Sequence, residues 1–175
     1  EQFGRGGVLG PDTTYIHCCT LSDTELKLII DTGGSVSLAI PIEMQMGHGM
    51  PPIQRLRDID PAFRFCLSVD VETNQPSDMF TQMHACFALQ RALYIDKNQA
   101  DCLFQFFVDP APCRPGILSA RNVLELATIE GARANGLLHK TGTLTPGKQA
   151  DVILLRSKQI NVAPLNDEVG AVVLG

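Results

Sequence analysis

The sequence predicts an α/β fold in which βα units build a parallel sheet. Runs rich in β-branched and aromatic residues occur at 13–18, 35–40 and 63–69, and a helix-like segment separates each run from the next. The spacing of roughly 20 to 30 residues is what a strand, a crossover helix and the next strand require. The strands lie in chain order, as in a barrel.

The first run, Thr13-Thr14-Tyr15-Ile16-His17-Cys18, follows the turn-prone Gly10-Pro11-Asp12 and reads as a strand. Ser22 and Glu25 then form a capping box, and Leu26, Ile29 and Ile30 recur at helical spacing until Gly33-Gly34 closes the turn. Residues 35–40 give a second strand stopped by Pro41, and a Gly- and Pro-rich loop over 46–52 leads into a short helix over 53–59 with proline at its first turn. The third strand, 63–69, ends at Asp70; a polar loop over 72–76 precedes a long helix from Ser77 to about Tyr94. Residues 98–108 suit a helix or a buried strand, since periodicity alone does not separate the two. A helix capped by Ser119 is expected over 119–135, then a strand at 150–155 with a partner strand at 169–174.

Composition narrows the function classes. With 45% hydrophobic and 19% charged residues in 175, the chain has the make-up of a folded domain. Its net charge is −5 and it has no Lys/Arg cluster interleaved with aromatics, so the footprint of a nucleic-acid binder is missing. Apolar stretches such as 37–42 and 152–155 are far shorter than the roughly 20 residues of a membrane helix. The six cysteines contain no C-x-x-C pair, which points to a reducing cytoplasm. The chain opens on Glu1-Gln2-Phe3 and stops within a strand-like run, so a fragment or a processed product is expected.

Several motifs carry a family resemblance: Tyr15-Ile16-His17 followed by Leu21-Ser22-Asp23-Thr24-Glu25, the strand-end aspartate of Ser68-Val69-Asp70, and residues 124–132 continued by Gly142 to Asp151. With these the chain resembles the C-terminal half of the amidohydrolase superfamily, in its cytosine deaminase-like and triazine hydrolase-like branch. The resemblance implies the C-terminal part, about strands six to eight, of a (β/α)8 TIM barrel, with His17 ending strand six and Asp70 ending strand eight. It also implies an accessory β-sandwich, which divides the chain into barrel (1–145) and returning sandwich strands (146–175).

The activity so implied is metal-dependent hydrolysis of a C–N or C–Cl bond in a heterocyclic or amide-like small molecule. A divalent metal, zinc or iron, activates the water. Most of the family's metal site is absent from this chain: there is no H-x-H and no H-x-x-E. Asp70 matches the aspartate that binds metal or takes the proton of the attacking water. His17 matches a histidine that contacts substrate or binds metal. A catalytic zinc usually takes three protein ligands, so this chain carries only part of such a site.

The remaining candidates stay open between two readings. His48, between two glycines, lines a pocket or sits solvated in a turn. Glu43 faces a substrate pocket or is a solvated loop carboxylate. Met46, with Met44 and Met50, forms an adaptable apolar wall or packs into the core. Asp78 supports the start of its helix, and His84 and His139 are structural or exposed. The alternative to a hydrolase is a truncated, metal-free relative that uses His17 and Asp70 for binding or acid–base chemistry. Three parallel strands leave unpaired edges, so association with the missing N-terminal half or with further copies of the chain is expected.

Overall fold

The computed structural model describes residues 6–98, 116–158 and 163–175. Strand β1 (Thr14–Ile16), helix α1 (Asp23–Asp31), strand β2 (Ser35–Leu38), helices α2 (Ile40–Gln45) and α3 (Ile53–Ile59), and strand β3 (Cys66–Leu67) follow one another. The strands form one sheet in the order β1-β2-β3 with both pairings parallel, Tyr15 opposite Val36 and Leu38 opposite Leu67. The long helix α4 (Met79–Lys97), the consecutive α5 (Ala120–Ala127) and α6 (Ile129–Ala134), and α7 (Glu168–Leu174) complete the described elements.

Local chemistry explains most boundaries. Ser22 and Glu25 make the expected reciprocal capping box of α1, which satisfies otherwise orphaned backbone donors. Asp78 Oδ1 accepts from the Thr81 backbone N–H at 2.8 Å and caps α4; these hydrogen bonds to Thr81 hold its carboxyl below the usual range. Ser119 caps α5 with Asn122 as its reciprocal partner.

Helix α1 packs on α3, α5 and α6 contact the sheet, and α4, α5 and α7 pack together. The core joins Leu26 and Ile29 of α1, Val36 and Leu38 of β2, Leu56, Phe65, Cys86, Val123, Leu126 and Val173. One polar hub lies within it. Gln90 of α4, fully buried, donates from Nε2 to Gln54 Oε1 (3.0 Å) and to the Gly116 carbonyl (2.9 Å), while its Oε1 accepts from the Leu118 N–H (3.1 Å).

Four expectations need correction. The strand expected at 169–174 is helix α7: Asp167 accepts from the N–H groups of Val169 and Gly170. Val169, Val172 and Val173 then fall at i, i+3 and i+4, so packing against α4 and α5 overrides the β-preference of valine. The strand expected at 150–155 has no regular structure, and Val152, Ile153, Leu154 and Leu155 are 51 to 92% exposed; among the described residues it has no neighbouring strand to complete a ladder. The helix expected over 119–135 breaks at Thr128, whose backbone leaves the helical region while its hydroxyl donates to the Leu124 carbonyl. Residues 40–45, read as strand end and loop, form α2, because Pro41 sits in a first turn, where its missing N–H costs nothing. Most of residues 98–108, which suited helix or strand, lies outside the described residues.

Among the described residues no helix is long and apolar enough to cross a membrane. The described cysteines, Cys18, Cys19, Cys66 and Cys86, are free thiols.

Candidate active site at the strand ends

His17 follows directly on β1 and Asp70 lies three residues beyond β3, both past the C-terminal ends of the parallel strands. The His17 N–H still donates to the Ser37 carbonyl at 3.0 Å, extending the ladder by one bond. There the chain turns sharply: His17, Cys18 and Asp70 have φ of 65°, 59° and 63°. For non-glycine residues this left-handed region costs roughly 1–2 kcal/mol each, and such strain clusters at functional sites.

The side chains converge. His17 Nε2 lies 3.7 Å from Asp70 Oδ2, with the two side chains 26% and 32% exposed, and His17 Nδ1 lies 3.1 Å from Glu43 Oε1. Glu43 Oε1 also accepts the Ala39 N–H at 2.9 Å. The His48 ring meets the His17 ring edge-on, centroids 4.8 Å apart and planes at 67°.

The contacts favour one tautomer. Glu43 Oε1 already accepts the Ala39 N–H, and with the proton on His17 Nδ1 the same oxygen accepts a second bond while Nε2 presents a lone pair. A lone pair facing a carboxylate oxygen at 3.7 Å is satisfied by a proton on Nε2 or by a cation that both groups bind. The donor chemistry, one imidazole nitrogen and one carboxylate, therefore suits a divalent ion such as zinc or iron. Two donors are fewer than a catalytic site needs, and among the described residues no group of three or more His, Cys, Asp or Glu is arranged to hold a metal.

Glu43 is not the solvated loop carboxylate that a charge after proline suggests: it is fully buried. Burial pushes its carboxyl up from the ordinary value, against the opposing pull of the Ala39 N–H and His17. Burial likewise raises the Cys18 thiol to about 12 and the Cys19 thiol to about 11, reinforced by the nearby Glu43 charge.

An open cleft of about 560 Å³ adjoins the site, lined by Tyr15, His17, Cys19, Leu21, Gly47 and His48 among others; its size is that of a small-molecule site. His48 thus reaches the cleft. Its Nδ1 is buried and has no partner among the described residues. Met44, Met46 and Met50 are exposed by 45 to 56% and line no part of this cleft. His84 and His139 are exposed and distant in role from this cluster. A second cleft of about 580 Å³, lined by Leu67, Leu124 and Leu144, contains neither His17 nor Asp70. What the sequence missed was the burial of Glu43 beneath His17; the only trace of it is a carboxylate five residues beyond the end of an apolar strand.

The family model described as the amidohydrolase family matches residues 1–175, the whole chain. The chain belongs to the amidohydrolase family. This amidohydrolase chain is 30% identical over 165 residues to the 5'-deoxyadenosine deaminase of Methanothermobacter thermautotrophicus, covering 94% of this chain and 34% of that protein. Among solved structures it resembles an adenosine deaminase from Xanthomonas campestris with bound zinc (TM-score 0.80, 22% identity, 98% of this chain and 35% of that one). It also resembles the atrazine chlorohydrolase from Arthrobacter aurescens complexed with zinc (TM-score 0.68, 18% identity, 97% and 34%). These solved-structure likenesses are likenesses of fold, and the fold is that of a partial TIM barrel. The chain spans about a third of the length of the relatives it matches.

Proposed function

We propose that this amidohydrolase chain supplies the part of an active site that hydrolyses a C–N bond in an amino-substituted heterocycle, releasing ammonia. In this reading β1, β2 and β3 are strands six, seven and eight of the barrel. The other strands come from sequence beyond this chain or from a second polypeptide, and these bring the remaining ligands. The observation that carries the reading is the convergence of His17 Nε2 and Asp70 Oδ2 at the strand ends, where barrel enzymes hold their chemistry. The deaminase among the relatives favours an adenosine-like base as substrate.

A bound divalent metal would supply a Lewis acid that makes water nucleophilic at neutral pH. Asp70 takes a proton from the water that adds to the amino-bearing ring carbon and returns one to the amine, so that the C–N bond breaks and ammonia leaves. His17, with its proton held at Nδ1, offers the Nε2 lone pair to the metal or shares a proton with Asp70. His48 lines the approach, and its ring, edge-on to His17, limits where a planar base can lie.

The test is ammonia release from 5'-deoxyadenosine and related amino-heterocycles by the full-length protein, measured beside its metal content. Wild type is expected to turn over and to contain zinc or iron, with His17→Ala and Asp70→Asn each losing at least about 100-fold in kcat/KM, the scale of a lost acid–base group. A metal-replete protein that releases no ammonia, or variants that match wild type, would refute the proposal. Turnover without metal would favour the metal-free acid–base reading instead.

A further inference from the structure

We propose that Glu43 is a positioning residue, a buried carboxylate whose Oε1 locks the His17 ring with its proton on Nδ1 and its Nε2 lone pair toward Asp70. The inference rests on the role given to His17 above and assigns a task to a group that the sequence alone left as a loop or pocket carboxylate.

The fold builds this lock from local geometry. Helix α2 begins directly after β2, with Pro41 and Glu43 both in its first turn; Glu43 turns back to the strand end and binds the Ala39 N–H at 2.9 Å. That bond anchors the carboxylate to the backbone leaving β2, the same strand whose Ser37 carbonyl accepts the His17 N–H. The acceptor and the imidazole it orients are therefore both referenced to β2. The fully buried carboxyl gathers its contacts on one oxygen: Oε1 meets the Ala39 N–H and His17 Nδ1, whereas Oε2 is buried with no hydrogen-bond partner among the described residues, so the group's only side-chain hydrogen-bond partner among them is the His17 ring. Glu43 cannot reach a substrate through His17, so the pocket-lining role is replaced by one exerted through the ring.

Rotation of the ring, or transfer of its proton to Nε2, would turn an N–H toward the cleft and remove the lone pair from the space it shares with Asp70. Partners that fix the far nitrogen of a functional imidazole are typically worth about 10- to 100-fold in metal affinity or activity.

The test compares Glu43→Leu and Glu43→Gln in the full-length protein. Glu43→Gln keeps an oxygen where Oε1 lies and should stay within a few-fold of wild type. Glu43→Leu should lower kcat about 10- to 100-fold with KM within a few-fold, and should weaken zinc retention against a chelator. In ¹⁵N-histidine spectra the protonated Nδ1 signal of His17 should persist in Glu43→Gln and be lost or averaged in Glu43→Leu. In a His17→Ala background Glu43→Leu should leave residual activity and zinc retention unmoved, because the two positions act as a unit.

Equal losses in both Glu43 variants, an unchanged Nδ1 signal in Glu43→Leu, or a further loss in the His17→Ala background would each overturn the proposal. If Glu43→Leu fails to fold, Glu43→Gln alone decides: a loss above about 100-fold with a displaced Nδ1 proton refutes it. A His17→Ala protein as active as wild type would sink the functional reading itself, whereas an inactive His17→Ala beside a fully active Glu43→Leu sinks only the positioning role.

Discussion

Replacing Gln90 by leucine tests the buried hub on which α3 and α4 meet. The change nearly conserves volume and removes three hydrogen bonds at once, those to Gln54, Gly116 and Leu118. The consequences differ by site. Leu118 is 1% exposed, so its N–H stays dry and bears a full desolvation cost of about 1–3 kcal/mol. Gln54 is nearly buried but keeps its bond to Asp58, so its loss is nearer about 1 kcal/mol. The Gly116 carbonyl, half-buried, can recover a water and adds little. Leucine's greater apolarity returns up to about 1 kcal/mol. The net expectation is a loss of about 1–4 kcal/mol, read as a shift of the urea midpoint at unchanged slope in the full-length protein. A loss below about 1 kcal/mol would show that the three partners find replacements and that the hub does not organise this part of the core.

Two further outcomes follow from the site and its surroundings. With their thiols held at about 12 and 11, Cys18 and Cys19 should react with iodoacetamide at pH 8 far more slowly than a free thiol of ordinary acidity; mass-spectrometric labelling at the free-thiol rate would contradict the desolvation that raises them. At Gly142, with φ of 88°, an added Cβ would lie 2.7 Å from the Ala132 Cβ, whereas Gly147, with φ of 92°, has open space around it. Gly147→Ala should therefore cost about 1–2 kcal/mol from backbone strain alone, and Gly142→Ala measurably more; equal melting shifts would show that the close approach of residues 128–132 relaxes freely.

Elements whose signal is local were legible from sequence. The Ser22/Glu25 box, the helix at Ile53–Ile59 and the Asp78 cap are each set by a few adjacent residues, and the structure shows them where that chemistry places them. Elements decided by distant packing were not. Valines at 169, 172 and 173 carry a strand preference and a helical spacing together, and only the α4 and α5 surfaces choose between them. Thr128 interrupts a periodic run that gives no sign of breaking. At the site, composition marked roughly where the strands end, and the family resemblance singled out His17 and Asp70 there. The burial of Glu43 could not be read, since nothing in Pro41-Ile42-Glu43 tells whether a carboxylate turns toward water or under a neighbouring strand.

The three positive φ angles at His17, Cys18 and Asp70 set heat tolerance against chemistry at these positions. A glycine at any of them would rest in that backbone shape without complaint, and two of those exchanges would erase the very atoms that meet at the mouth of the sheet. On the reading proposed above, selection or engineering for heat resistance, which readily finds relief at such points, would gain a sturdier backbone at the cost of the His17 and Asp70 side chains, whereas the exchange at Cys18 would leave those atoms in place.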